Sequence, residues 1–219
     1  MKRTVLFLLI LHVFYSCKKD KVDAVEANAS YKIIFTTFWS APAFTVPANV
    51  HITTITGMVH SKDSFLWSNS PATPGLEAVA EFGNPAKMMI ELDAIIAKQK
   101  ALSQFAITPP AINGTVEFQL DFTSRFSCIS FASMIAPSPD WFTGINNYNL
   151  IQNNQWADDV SVDLFVYDAG SEDGDVFGYD NPETVPVQNV SKLMAANATV
   201  LANGNSSLAR IATVRFIKN

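Results

Sequence analysis

The chain has 219 residues, 48% of them hydrophobic and 16% charged, with a formal net charge of −5. That length supports one good-sized core rather than two, and the low charge with 16 phenylalanines excludes a disordered chain. Neither a nucleic-acid footprint nor a basic membrane-binding face is visible in that acidic balance.

Residues 1–16 read as a lipoprotein signal peptide. Met1-Lys2-Arg3 is a short positive start, and Val5 to Tyr15 is an apolar run broken only by His12, too short for the ~20 residues a spanning helix needs. The run ends Phe14-Tyr15-Ser16-Cys17, a lipobox-like sequence with lipidation expected on Cys17. An ordinary signal peptide with an incidental cysteine is the alternative. The charged Lys18-Lys19-Asp20-Lys21 that follows favours the lipid. Removal of the segment leaves 13 basic against 20 acidic residues. The expectation is a cell-envelope protein at the outer membrane or surface of a Gram-negative bacterium, touching membrane through its lipid only. Cys128, the second of two cysteines, is then left without a partner and reads as a buried free thiol.

Residues 17–30 are polar and read as a flexible tether, with one domain over 31–219. Tyr31 to Trp39 is rich in β-branched and aromatic residues and predicts a strand, as does Val50 to Val59, interrupted by Gly57. Asn84-Pro85 looks like a helix start, and Met88, Met89, Leu92, Ile95, Ile96 and Leu102 recur at three- and four-residue spacing. This predicts one inserted amphipathic helix of about five turns around 85–105, ended by Thr108-Pro109-Pro110. Thr115 to Phe122 alternates with period two, Phe126 to Ala136 and Val160 to Tyr167 are further strands, and Ile211 to Ile217 alternates again. The fold class is all-β, an antiparallel β-sandwich with one helical insertion.

The stretch from Ala136 to Pro186 carries the chemistry. Pro137-Ser138-Pro139-Asp140 places Asp140 where a strand ends and a loop opens, and a later strand delivers Asp168 to a turn holding Glu172, Asp173 and Asp175. Carboxylates packed into one turn repel unless something positive sits between them, and Arg125 is the only base between Lys100 and Lys192. A hard cation answers that need, calcium above all, while a merely solvated acidic turn remains the alternative. No nucleophile elbow, paired-histidine zinc motif or phosphate-cradling loop is present, so no catalytic residue is assigned; the mature chain holds only His51 and His60. Trp39, Trp67, Trp141 and Trp156 could form a sugar platform, although buried core positions are the commoner outcome.

Pro137-Ser138-Pro139-Asp140-Trp141-Phe142-Thr143-Gly144, Tyr167-Asp168-Ala169-Gly170 and Asn181-Pro182-Glu183-Thr184-Val185-Pro186 resemble the signature of the spondin domain. Thr56-Gly57-Met58-Val59-His60-Ser61, Thr73-Pro74-Gly75-Leu76 and Ala80-Glu81-Phe82-Gly83 continue the likeness. The resemblance implies a sandwich similar to calcium-dependent membrane-binding domains, with calcium held at one end. Carried onto this chain, its metal carboxylates are Asp140, Asp168 and Glu172. The family pattern has aspartate at the third position, so Asp173 is the substitute if Glu172 does not serve. The implied role is a non-catalytic adhesion or recognition module with an extracellular protein or glycan as ligand. A glycan- or membrane-binding surface lipoprotein and a hydrolase are the alternatives.

Overall fold

The computed structural model describes residues 25–38, 47–196, 199–202 and 204–219. The signal peptide, Cys17, most of the tether and Trp39 lie outside the described residues. In chain order the strands are β1 (Asn28–Thr37), β2 (His51–Ile52), β3 (Ile55–His60), β4 (Ala101–Ile107), β5 (Thr115–Thr123), β6 (Cys128–Ala136) and β7 (Trp141–Asn149). They continue as β8 (Ile151–Gln152), β9 (Gln155–Trp156), β10 (Asp159–Leu164), β11 (Val166–Asp168), β12 (Ser191–Lys192) and β13 (Ala212–Lys218). The helices are α1 (Pro74–Phe82), α2 (Ala86–Ala97) and α3 (Thr199–Ala202). None among the described residues is long and apolar enough to cross a membrane.

Two antiparallel sheets face each other. One has the order β10-β13-β1-β5; the other runs β12-β11-β7-β6-β3-β4, with β2 paired to β6. Between them lies the main core, where Ile33, Phe35, Val214 and Phe216 of the first sheet meet Ile129, Phe131 and Ile135 of the second. Phe35 and Phe131 close across it edge to face, ring centroids 6.0 Å apart. Each fully buried ring of this kind contributes about 1.5–3 kcal/mol. The outer face of the larger sheet is covered by α1 and α2, with Met58, Ala132 and Phe142 against Leu76, Val79, Met88 and Leu92. The molecule is therefore a sandwich with a third, helical layer.

That third layer explains why β6 shows no alternation: all nine of its residues are buried, because one face meets the opposite sheet and the other meets the helices. On β5 and β13, whose outer faces meet water, the expected period-two pattern is present.

The structure changes five expectations. Val50 to Val59 is not one strand but two, β2 and β3, and Val160 to Tyr167 divides between β10 of the smaller sheet and β11 of the larger. β1 starts at Asn28, three residues before the expected Tyr31, because Asn28 to Ser30 already pair with Thr123 to Asp121 of β5. The single helix around 85–105 is instead α2, ending at Ala97, followed by β4 on the edge of the larger sheet. Gln99 takes a left-handed φ of 54°, which turns the chain out of the helix. The apolar spacing carried on through Leu102 and Phe105 by coincidence, since Phe105 is buried as a strand residue. Helix α1 was not anticipated, although its signals are local. Thr73 is its N-cap, accepting from the Leu76 N–H at 3.2 Å, Pro74 opens it, and Gly83 closes it at φ 63°. Glu91 of α2 joins the two helices, accepting from the Gly75 N–H and the Thr73 hydroxyl, each at 2.7 Å.

Candidate metal centre

The residues expected at the rim come from neighbouring strand ends of the larger sheet. β6 ends at Ala136, the chain turns through Pro137-Ser138-Pro139, and Asp140 immediately precedes β7. The Ser138 hydroxyl fastens this turn by accepting from the Trp141 N–H at 3.1 Å. Asp168 is the last residue of β11, which lies beside β7 with Asp168 opposite Trp141. The backbone therefore sets Asp140 and Asp168 side by side, and the Ala169 N–H donates to the Asp140 carbonyl at 3.2 Å.

Asp140 is fully buried, an unusual place for a carboxylate. Its Oδ2 accepts from the Ser171 N–H at 2.7 Å, the Glu172 N–H at 3.1 Å and the Ser171 hydroxyl at 3.2 Å. Oδ1 is buried with no hydrogen-bond partner. Burial pushes the Asp140 carboxyl above its ordinary range, and the donors from Glu172, Ser171 and Gly170 pull it back.

The 168–188 segment is shaped by backbone bonds. Asp168 Oδ1 accepts from the Gly170 N–H at 2.7 Å, and Gly170 sits at φ 77°, where a Cβ would also meet the Gln188 carbonyl oxygen at 2.5 Å. The Thr184 N–H bonds the Ser171 carbonyl and the Asp173 N–H the Pro182 carbonyl, both at 2.8 Å. Asp168, Glu172 and Asp173 line one open cleft of about 410 Å³ with Asp175; Asp140 does not line it, being packed against the 169–172 backbone. Asp173 Oδ1 is engaged by the Thr184 hydroxyl at 2.7 Å, a bond that clips the two halves of the loop together.

Electrostatically the rim is under strain. Asp168 is raised to about 6, by burial first, then by repulsion from Asp140 and Asp173. Glu172 is raised to about 7, by burial, then by Glu81 and Asp140. Glu81 is itself raised, by burial and by neighbouring Glu77, Asp140 and Glu183. Glu81 and Glu183 were missed as members of this field. Each lies inside a motif that carried the family likeness, but Glu81 is on α1 and Glu183 on the returning arm of the 168–188 loop, bridged to Glu172, so no spacing rule joins them to Asp140. As the side chains stand, no three His, Cys, Asp or Glu among the described residues are gathered tightly enough to ligate one metal ion. What fits a cation is the orphaned Oδ1 of Asp140 and the mutual repulsion of its neighbours.

The other sequence candidates are structural. Both His60 nitrogens are occupied, Nε2 with the Ser130 hydroxyl at 2.8 Å and Nδ1 with the Ser61 carbonyl at 2.7 Å, and burial lowers its pKa. Trp141 and Trp156 are buried in the main core, and Trp67 packs between Phe142 and Tyr167, so these three form no exposed sugar platform. Cys128 is a free, buried thiol.

The Spondin_N family model matches residues 29–204. The rat protein Spondin-2 is 32% identical over 214 residues, which cover 91% of this chain and 64% of that protein. Human Spondin-2 is 30% identical over 194 residues, covering 84% and 58%. Spondin-1 of Xenopus laevis is 31% identical over 178 residues, covering 76% and 22%. The chain thus spans less than two thirds of the length of these relatives.

Proposed function

Since the chain belongs to the spondin N-terminal domain family, we propose that it is a non-catalytic, extracellular adhesion or recognition module whose acidic rim is closed by one calcium ion. Asp140, Asp168 and Glu172 would hold the ion, with Asp173 the substitute for Glu172. A lipid on Cys17 would tether the module to the envelope, leaving the rim free to meet a protein or glycan.

The observation that carries the calcium reading is the buried Asp140 Oδ1 without a partner. An unsatisfied buried acceptor costs about 1–3 kcal/mol, more when charged. Water-exposed acidic turns do not bury a carboxylate oxygen in this way. A divalent ion supplies the missing partner and relieves the repulsion that raises Asp168 and Glu172. The ion's contribution is to fix the 168–184 loop; the residues themselves shape the surface it presents.

Melting temperature with calcium and with chelator tests the proposal. Extracellular calcium modules bind at about 10⁻⁴–10⁻³ M, so several millimolar calcium adds about 2 kcal/mol, or roughly 4–8 °C. Asp168→Ala abolishes the rise. Identical melting of the unmodified protein in calcium and chelator refutes the ion.

A further inference from the structure

At the opposite end of the larger sheet the charge reverses. Strand β6 leads toward Asp140 at its C-terminal end, while Ser127, just before its start, lines a second cleft of about 610 Å³. Nine strand residues separate the two by roughly 30 Å. Lys62, Lys98, Lys100 and Arg125 border this cleft, against a single acid, Asp63. Ten lysines and arginines occur among the described residues. Four are paired with carboxylates, Lys32, Arg210, Arg215 and Lys218. Of the remaining six, four gather here with no carboxylate partner among the described residues.

A bland cause accounts for part of this. The cleft adjoins the C-terminus of α2, where the helix dipole places about half a negative charge. Asp63 and that dipole together offset well under half of four cations, so a surplus of roughly two to three positive charges remains. The site is also built. Arg125 is held by its bond to the Gln99 carbonyl at 3.0 Å and by stacking over the Phe126 ring at 4.9 Å, with only one of its five N–H donors spent. Asn149 Oδ1 accepts from the Ser127 hydroxyl at 2.8 Å and the Ile151 N–H at 2.9 Å, which leaves the amide N–H₂ without a partner among the described residues.

We infer that this cleft binds an acidic oligosaccharide through its sulfate or carboxylate groups. A concave site with hydroxyl and amide groups beside the cations matches a sugar that carries both charges and hydroxyls. A flat lipid surface matches it less well, because Ile151 is the one large apolar side chain lining the cleft and it is half-buried. The inference stands on different residues from the acidic rim and does not require calcium.

The test is calorimetric titration with a heparin-derived hexasaccharide, maltohexaose and phosphatidylglycerol vesicles, in calcium and in chelator. The sulfated sugar binds with an affinity that weakens as salt rises, equally with and without calcium, and maltohexaose does not bind. Single exposed ion pairs are worth about 0.2–1 kcal/mol, and reversal adds repulsion to the loss. The exposed pair Lys62→Glu with Lys100→Glu therefore weakens binding at least tenfold, whereas Lys87→Glu, on another part of the surface, changes it less than twofold. Equal weakening by Lys87→Glu, binding to vesicles but not to the sulfated sugar, or no binding at low salt would each overturn the inference. A calcium requirement for sugar binding would move the site to the acidic rim and also overturn it.

Discussion

Asp168 and Glu172 have folded-state pKa values raised to about 6 and about 7, above the values they take when unfolded. Without an ion, the folded state holds protons that the unfolded chain releases. Their contribution is thus fully present below about pH 4 and is lost as pH rises through 6 and 7. The calcium proposed for this rim would reverse the balance, because it would bind the ionised carboxylates and compete with those same protons. The rise in melting temperature that the proposal predicts with calcium is accordingly expected to be small at pH 5 and to reach its full size above pH 7, measured by paired scanning-calorimetry runs. A rise of equal size at both pH values would separate the ion from these two groups. The surplus of acids over bases around Asp168 was legible from composition. The burial of Asp140 was not, because it depends on amides contributed by residues 171 and 172 of another strand's loop.

At the level of elements, alternation and capping were readable wherever one face met water. β5 and β13 followed their pattern, whereas α2 was extended too far because Leu102 and Phe105 kept a helical spacing while serving a strand. The close approach of β6 and β7 is a second feature invisible to periodicity. A Cβ on Gly144 would lie 2.1 Å from the Phe131 carbonyl oxygen, on the backbone of a central strand that cannot yield. Gly144→Ala is expected to cost about 1–3 kcal/mol or more, read as a lower denaturation midpoint at unchanged slope. An unchanged midpoint would mean that the two strands can part without loss.

For the whole molecule, β1 is the keystone. It pairs with β13 on one side and β5 on the other, and its Tyr31, Ile33 and Phe35 are fully buried. Deleting the chain through Thr37 removes the centre of one sheet and is expected to abolish cooperative melting, measured by circular dichroism; a cooperative transition in the truncated chain would refute that role. The sequence alone determined the β-rich class, the family and the acidic residues of one end, because patterning, motif and composition are local properties of the chain. Only the tertiary structure decided that helices cover one sheet as a third layer. It also decided that Asp140 and Asp168 become neighbours through the β7–β11 ladder, and that four cations from three separate segments share one cleft. Those relations arise from strand pairing across long loops, whose register is set by burial rather than by adjacent residues.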